Sequence, residues 1–191
     1  LYSSAASDVY KRQGILGVGV IGGEIARKCK AFGMTVYGIA SRRREMDAVD
    51  YPFGPEGLME VLGAVDYFIN VVPSTPATRN MIGVAQIAAM KPSAFFINVG
   101  RGETVDEDAL VDALRAGRIA GAGLDVFTTE PLPEDSPFWE LDNVIISSHM
   151  GGMSDIYAEQ ALPVIEENLG RFLRGERLDL VNLVRGEERK A

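Results

Sequence analysis

Histidine is the side chain that most readily takes or gives a proton near neutral pH, and this sequence has one, His149, within Ser147-Ser-His-Met-Gly-Gly152. A single histidine leaves no rival for acid/base chemistry of that kind. Two more polar segments follow apolar runs: Phe95-Phe-Ile-Asn-Val-Gly-Arg-Gly-Glu-Thr-Val-Asp-Glu107 and Gly123-Leu-Asp-Val-Phe-Thr-Thr-Glu-Pro-Leu-Pro133. Each brings charged groups to the end of a candidate strand, where open α/β sheets bind ligands. Taken singly they are ordinary. A lone Arg after a strand is usually a surface charge, a Glu before Pro a loop residue, and a His the satisfied partner of a core hydrogen bond.

The earlier stretch Gly14-Ile-Leu-Gly-Val-Gly-Val-Ile-Gly22 carries G-x-G-x-x-G at Gly17, Gly19 and Gly22. In that pattern the first glycine allows a tight turn, the second lets backbone approach a pyrophosphate, and the third lets helix pack on strand. The unpaired amides at the start of the helix, Val20 and Ile21 included, would then face the diphosphate. Alone the triplet is weak, since a turn before any amphipathic helix can look the same. Its surroundings strengthen it. Ile15 and Leu16 precede the turn, and Ile21, Ile25, Cys29 and Phe32 recur at helical spacing as one buried stripe. Gly33 is placed to stop the helix, and Met34 to Ile39 form a second apolar run. That run ends Ala40-Ser41-Arg42-Arg43-Arg44, with no carboxylate where a ribose partner is expected about twenty residues past the glycines. A hydroxyl at Ser41 followed by three guanidinium groups, at Arg42, Arg43 and Arg44, suits a 2′-phosphate. We therefore expect NADP(H) in preference to NAD(H), with NAD still possible; Glu45 and Asp47 leave open a merely solvated basic loop.

Apolar runs at Thr35–Ile39, Tyr67–Val72, Ala94–Val99, Gly121–Asp125 and Val144–Ser147, which would carry these groups at their ends, alternate with helical patterns. The helices are expected near Pro55–Val65, Val84–Met90 and Asp106–Ala116, the last with Gly117 as its stop. Such alternation predicts an α/β fold, a Rossmann-type doubly wound parallel sheet. A longer final helix would start at Ser154 with Ala161, Ile165, Leu169 and Phe172 on one face, kinked or split by Pro163. Residues 1–13 read as an adapter-derived or disordered tail, because Asp8-Val-Tyr-Lys-Arg-Gln13 matches the translation of a sequencing-library adapter. The dinucleotide-binding domain is expected over 14–152, and 153–191 as a returning helix and tail. The formal net charge of −8 argues against nucleic acid or anionic membrane as partner. No apolar run is long enough to span a bilayer. With one cysteine, Cys29, on the helical stripe, an internal disulfide is impossible and a packed thiol in a reducing compartment is expected. No metal site is expected.

Together, the glycine loop and the three polar segments resemble the cofactor domain of the D-isomer-specific 2-hydroxyacid dehydrogenases, from Gly14 to about Asn182. The resemblance implies roles residue by residue. Arg101 matches the arginine that holds the substrate carboxylate and polarises its oxo oxygen, His149 the acid/base, and Glu130 the carboxylate partner of that histidine. Asp125 matches a residue at the nicotinamide end, while Pro73, Thr75, Val99 and Gly151 match positions lining the cofactor. It further implies an oxidoreductase acting on a small 2-oxo or 2-hydroxy acid such as glyoxylate or hydroxypyruvate, cytoplasmic and homodimeric. Only the C-terminal piece of a second, substrate domain would be present. Two alternatives stay open: a dinucleotide-sensing, corepressor-like binding protein, and a cofactor-domain fragment without activity. The sequence departs from the family pattern at Ala40 (usually acidic), Ser148 (commonly Pro), Gly100 (commonly Ala) and Pro163.

Overall fold

The structure, a computed structural model, describes residues 10–176 and 179–181. Up to Gly151 the chain forms one compact unit and from Gly152 a second. In the first, strands and helices alternate as β1 (Arg12–Leu16), α1 (Val20–Ala31), β2 (Thr35–Ile39), β3 (Tyr51–Phe53), α2 (Leu58–Ala64), β4 (Tyr67–Asn70), α3 (Val84–Ala89), β5 (Phe95–Asn98), α4 (Glu107–Arg115), β6 (Gly121–Leu124) and β7 (Val144–Ile146). The strands make one sheet in the order β3-β2-β1-β4-β5-β6-β7, and every pairing is parallel. The chain winds outward from β1 to β3, then returns to lay β4 against the other side of β1. That reversal is a topological switch point, where doubly wound sheets open a crevice at the carboxyl ends of the strands.

Burial explains why these residues hold the sheet. Phe68 and Phe96 stand opposite each other in the β4–β5 register, are fully buried and stack with centroids 6.4 Å apart. They sit in a large cluster with Leu62, Ile82, Met90 and Leu110, while Ile15, Val18, Ala26, Cys29, Met34 and Val36 form a smaller one beneath α1. α4 is capped by Asp106, whose side chain accepts from the Ala109 amide at 3.1 Å, and Gly117 closes it at φ +61°.

Several expectations need correction. β1 begins at Arg12, before the expected domain start at Gly14, because its pairing is made by backbone and because Asp66 Oδ2 accepts from the Arg12 amide at 2.9 Å. β3 was not foreseen; it is a short edge strand, where Pro52 costs no ladder bond. In α1 the buried face is Gly22, Ala26 and Cys29, whereas Ile21 and Phe32 are 64% and 65% exposed. A Cβ at Gly22 would stand 2.3 Å from the Gly17 carbonyl oxygen, so the helix seats on its small residues and turns the larger ones outward.

The second unit holds α5 (Tyr157–Leu173), which runs uninterrupted through Pro163 rather than splitting there. Its N-cap is Ile156, not Ser154; Ser154 Oγ instead accepts from the Ile156 amide at 3.3 Å. No residue of α5 is buried, and Ile165 and Leu169 on the expected apolar face are exposed. Asn168 pins the chain beyond the helix by bonding both the carbonyl and the amide of Val181, at 3.0 and 2.7 Å. The expected tail beyond residue 181 lies outside the described residues.

The glycine loop yields a paired test. A Cβ at Gly19 meets nothing within 4 Å, whereas one at Gly22 meets backbone. Gly22→Ala should lose about 1–3 kcal/mol to overpacking, exceeding the ~1 kcal/mol helix-propensity gain, while Gly19→Ala stays within about 0.5 kcal/mol of wild type. Urea unfolding of both variants measures the contrast.

Candidate active site

At the switch point lies a cavity of about 550 Å³ whose walls include Gly17, Gly19, Ile39, Ala40, Ser41, Arg44, Val72 and Pro73. Gly17 adopts φ +99°, a conformation that suits glycine, and its amide donates to the Ile39 carbonyl at 2.9 Å. The loop is thereby tied to the end of β2. α1 begins with no acidic residue in its first turn and no side-chain cap, so its leading amides are available to an anion. Glycines that permit close approach, an uncapped helix start and an apolar crevice of this size suit a dinucleotide.

The sequence-derived cofactor residues divide into groups. Gly17, Gly19, Ser41 and Pro73 line the cavity. Gly22 packs behind the loop, and Val20 and Ile21 lie exposed at the helix start. Thr75 is taken up in a turn, its amide and hydroxyl bonded to Thr78 Oγ1 at 2.8 and 2.9 Å. Val99 donates its amide to the Asn70 carbonyl at 3.1 Å, off the cavity wall. Arg42 and Arg43 are exposed and do not line the cavity. Arg44 does, with Nη2 donating to the Val18 carbonyl at 3.4 Å. The basic run was legible as a run; the turn decides which guanidinium faces inward.

Arg101, Glu130 and His149 come from separate loops, following β5, β6 and β7, and meet around a recess of about 160 Å³ with Gly102, Glu103, Phe127 and Thr128. A Cβ at Gly102 would lie 1.9 Å from the Phe127 carbonyl carbon, so the Arg101 loop touches the Glu130 loop backbone to backbone. His149 Nδ1 and Glu130 Oε2 are 2.7 Å apart. The other Glu130 oxygen accepts from the Phe127 amide at 2.9 Å. An ionised carboxylate only accepts, so Nδ1 carries the proton and Nε2 remains for a ligand. Hydrogen bonding from His149 first, then from the Phe127 amide, holds the Glu130 carboxyl below its ordinary range, against a smaller opposing effect of burial; the charges of His149 and Arg101 add to the lowering.

Asp125 organises the loop that carries the histidine. Its carboxylate accepts from Ser147 Oγ at 2.5 Å, the Met150 amide at 2.9 Å and the Gly151 amide at 2.9 Å. Its carbonyl accepts from the His149 amide at 2.7 Å. Burial pushes the Asp125 carboxyl up, but these three donors and the charge of His149 outweigh it, and the carboxyl lies below its usual range. His149 itself has φ +54°, a left-handed conformation that a non-glycine residue adopts only where its surroundings impose it. Gly151 sits close against the same carboxylate, with room for no more than a tight Cβ at 3.0 Å from Oδ2. Sequence reasoning singled out Asp125 and Gly151 but not this clamp, which depends on the sheet placing β6 beside β7. On the other flank of His149 and Glu130, a recess of about 460 Å³ is walled by Phe127, Leu132, Trp139 and Ile146. Trp139, which the sequence did not single out, is fixed there by its Nε1 donating to the Pro133 carbonyl at 2.8 Å.

Residues 5–151 match the family model described as D-isomer specific 2-hydroxyacid dehydrogenase, NAD binding domain. The glyoxylate reductase of Korarchaeum cryptofilum is 41% identical over 170 residues, covering 88% of this chain and 51% of that protein. Glyoxylate/hydroxypyruvate reductase B of Pectobacterium carotovorum is 40% identical over 169 residues, 87% of this chain and 52% of that protein. The chain thus spans about half the length of these curated relatives. Among solved structures, a D-isomer specific 2-hydroxyacid dehydrogenase from Xanthobacter autotrophicus in complex with NADPH and MES superposes with a TM-score of 0.84 at 37% identity, covering 94% of this chain and 73% of that one. An NADPH-dependent glyoxylate/hydroxypyruvate reductase from Sinorhizobium meliloti, in complex with NADP and sulfate, gives 0.84 at 34% identity, with 96% and 58% covered. With a Rossmann-like sheet, a crevice at its switch point and a family match over most of its length, the chain belongs to the D-isomer specific 2-hydroxyacid dehydrogenases, whose NAD-binding domain it carries.

Proposed function

We propose that this chain is the cofactor-binding part of an NADP(H)-preferring reductase of small 2-oxo acids, of the glyoxylate or hydroxypyruvate type. The observation that carries this reading is the His149–Glu130 pair, 2.7 Å apart, facing the same recess as Arg101. When bound in the crevice, a reduced nicotinamide dinucleotide supplies the hydride. The chain's own residues do the rest. Arg101 pairs with the substrate carboxylate, and its charge draws electron density toward the oxo oxygen. Protonated His149 donates from Nε2 to that oxygen as it becomes a hydroxyl. Glu130 holds the ring by Nδ1 and stabilises the imidazolium before the transfer, and Asp125 fixes the backbone of the same loop. The 2-oxo acid leaves as a 2-hydroxy acid, having gained a hydride and a proton.

The cofactor preference is supported by Ala40 in place of an acid and by Ser41 and Arg44 on the cavity wall. A carboxylate there would repel a 2′-phosphate; an arginine forks onto it. The named relatives and NADP-bound neighbours support the substrate type and the cofactor. A cytoplasmic homodimer goes with this reading, and the free, buried thiol of Cys29 suits a reducing compartment.

Three outcomes are expected. NADPH should bind at least about tenfold more tightly than NADH, as one charge-assisted contact allows, and Arg44→Ala should bring the two within about threefold; equal affinities in the wild type refute the preference. In the two-domain enzyme, His149→Ala should lower kcat on glyoxylate by about a hundredfold or more, and near-normal turnover removes His149 from the mechanism. The third concerns acid. Because the folded-state pKa values of Asp125 and Glu130 are depressed, their stabilisation is full above the ordinary carboxylate range. It is lost as pH falls through the depressed values. The loop of residues 147–151 should therefore lose amide protection at Met150 and Gly151 progressively as the pH falls below about 4, the ordinary carboxylate value, and Asp125→Asn should lack that acid step.

A further inference from the structure

The centre of the sheet holds polar side chains that the mechanism does not use. Asn70 ends β4, Asn98 ends β5 directly opposite it in register, and Thr104 follows in a short 3₁₀ turn after Arg101. Their exposures are 0%, 1% and 0%. Burial of that kind is costly unless every group is paired, and here every group is. Asn70 Nδ2 donates to Asn98 Oδ1 at 3.0 Å and to Thr104 Oγ1 at 2.6 Å. Thr104 Oγ1 in turn donates to the Arg101 carbonyl at 2.6 Å, and Asn98 Nδ2 donates to the same carbonyl at 3.2 Å. The Thr104 amide reaches that carbonyl as well, at 3.3 Å. Asn98 Oδ1 accepts from the Gly100 amide at 3.1 Å, and Asn70 Oδ1 from the Val72 amide at 3.4 Å.

We propose that Asn70, Asn98 and Thr104 are positioning residues that lock the Arg101 loop to the wall of the dinucleotide cavity, so that nucleotide binding and arginine placement are coupled. Val71 and Val72 are part of that wall. A Cβ at Gly100 would lie 2.7 Å from the Val72 carbonyl oxygen and 3.2 Å from its nitrogen, which leaves the two backbones in direct contact. A second tie joins the same parts. The Asn80 amide donates to Glu103 O at 2.9 Å, Ile82 N to Thr104 O at 3.0 Å and Asp106 N to Ile82 O at 2.9 Å. The segment from Pro73 to Met81, which supplies Ala77 and Thr78 to the cavity, is thus zipped to the turn that follows Arg101. What Arg101 does to a substrate rests on the proposed function; the lock itself does not.

The test uses the 191-residue chain, isotope-labelled, with amide exchange read by NMR. Thr104→Val keeps the shape and removes the hydroxyl; Thr104→Ser keeps the hydroxyl. Without nucleotide, Thr104→Val should speed exchange at Gly100 by about tenfold relative to core amides such as Phe96, and Thr104→Ser should remain within about threefold of wild type. On adding NADP⁺, the wild type should show shift changes at the Arg101 and Gly102 amides that Thr104→Val lacks. Gly100 exchange unchanged in Thr104→Val, or accelerated only in step with the core, overturns the proposal. So does a nucleotide response at Arg101 that survives the loss of the hydroxyl. Should Thr104→Val not fold, the wild-type side-chain amides of Asn70 and Asn98 decide: exchange as slow as the core supports the lock, and fast exchange overturns it. A chain that fails to bind NADP⁺ counts against the cofactor reading, while the nucleotide-free exchange still decides the lock.

Discussion

Backbone lies against backbone in a continuous line along the carboxyl end of the sheet, and the rest of the site depends on that constraint. Gly22 has no room for a Cβ because of the Gly17 carbonyl; Gly17 packs on Val71 and Val72, and Gly100 packs on Val72 from the other side. Gly102 then abuts Phe127 and Thr128, the residues that lead to Glu130. Each contact removes space that a side chain would occupy. Loops that would otherwise be a side chain's width apart are brought together, from the start of α1 to the carboxylate that orients the histidine. Glycine serves here chiefly by its size. Positive φ is required at Gly17, whereas Gly22 sits within a helix.

Close approach also sets the electrostatics. Carboxylates brought near the carboxyl ends of strands would repel one another and resist desolvation, yet Asp125 and Glu130 both stay acidic. At Asp125 burial works against the charge, and donors from Ser147, Met150 and Gly151 win. At Glu130 the bond from His149 is the leading influence and burial the smaller. The difference follows from position. Asp125 is enclosed by the loop it holds, while Glu130 opens onto the recess where a charged imidazole can be used.

How much of this was readable beforehand differs from element to element. Alternation of apolar runs with helical patterns gave the parallel sheet, because strands buried on both faces are nearly continuous apolar runs. The trio was readable only through the family resemblance of the motifs around Arg101, Glu130 and His149; the sheet adds that they follow β5, β6 and β7, which lie side by side. The buried face of α1 was misassigned, since the largest apolar residues define a stripe by hydrophobicity while Gly22 defines it by steric fit. Likewise Arg44, not Arg42 or Arg43, lines the cavity, because a basic run does not encode the direction of its turn. The asparagine lock did leave a trace. Phe68-Ile-Asn70 and Phe96-Ile-Asn98 are the same tripeptide, aligned residue for residue in the β4–β5 ladder. Their meaning needs that register, which only the sheet supplies.

The balance between a catalyst and a mere dinucleotide sensor can be weighed on the cost of the His149 loop. A left-handed residue of this kind costs on the order of 1–3 kcal/mol, and the Asp125 clamp must overcome the burial of a charge. Neither lies on the wall of the dinucleotide cavity. What they secure instead is the direction of one imidazole, held by Glu130 at Nδ1 and facing Arg101 across a small recess. An imidazole fixed in this way can deliver a proton at a defined point, which is the step that the proposed reduction requires.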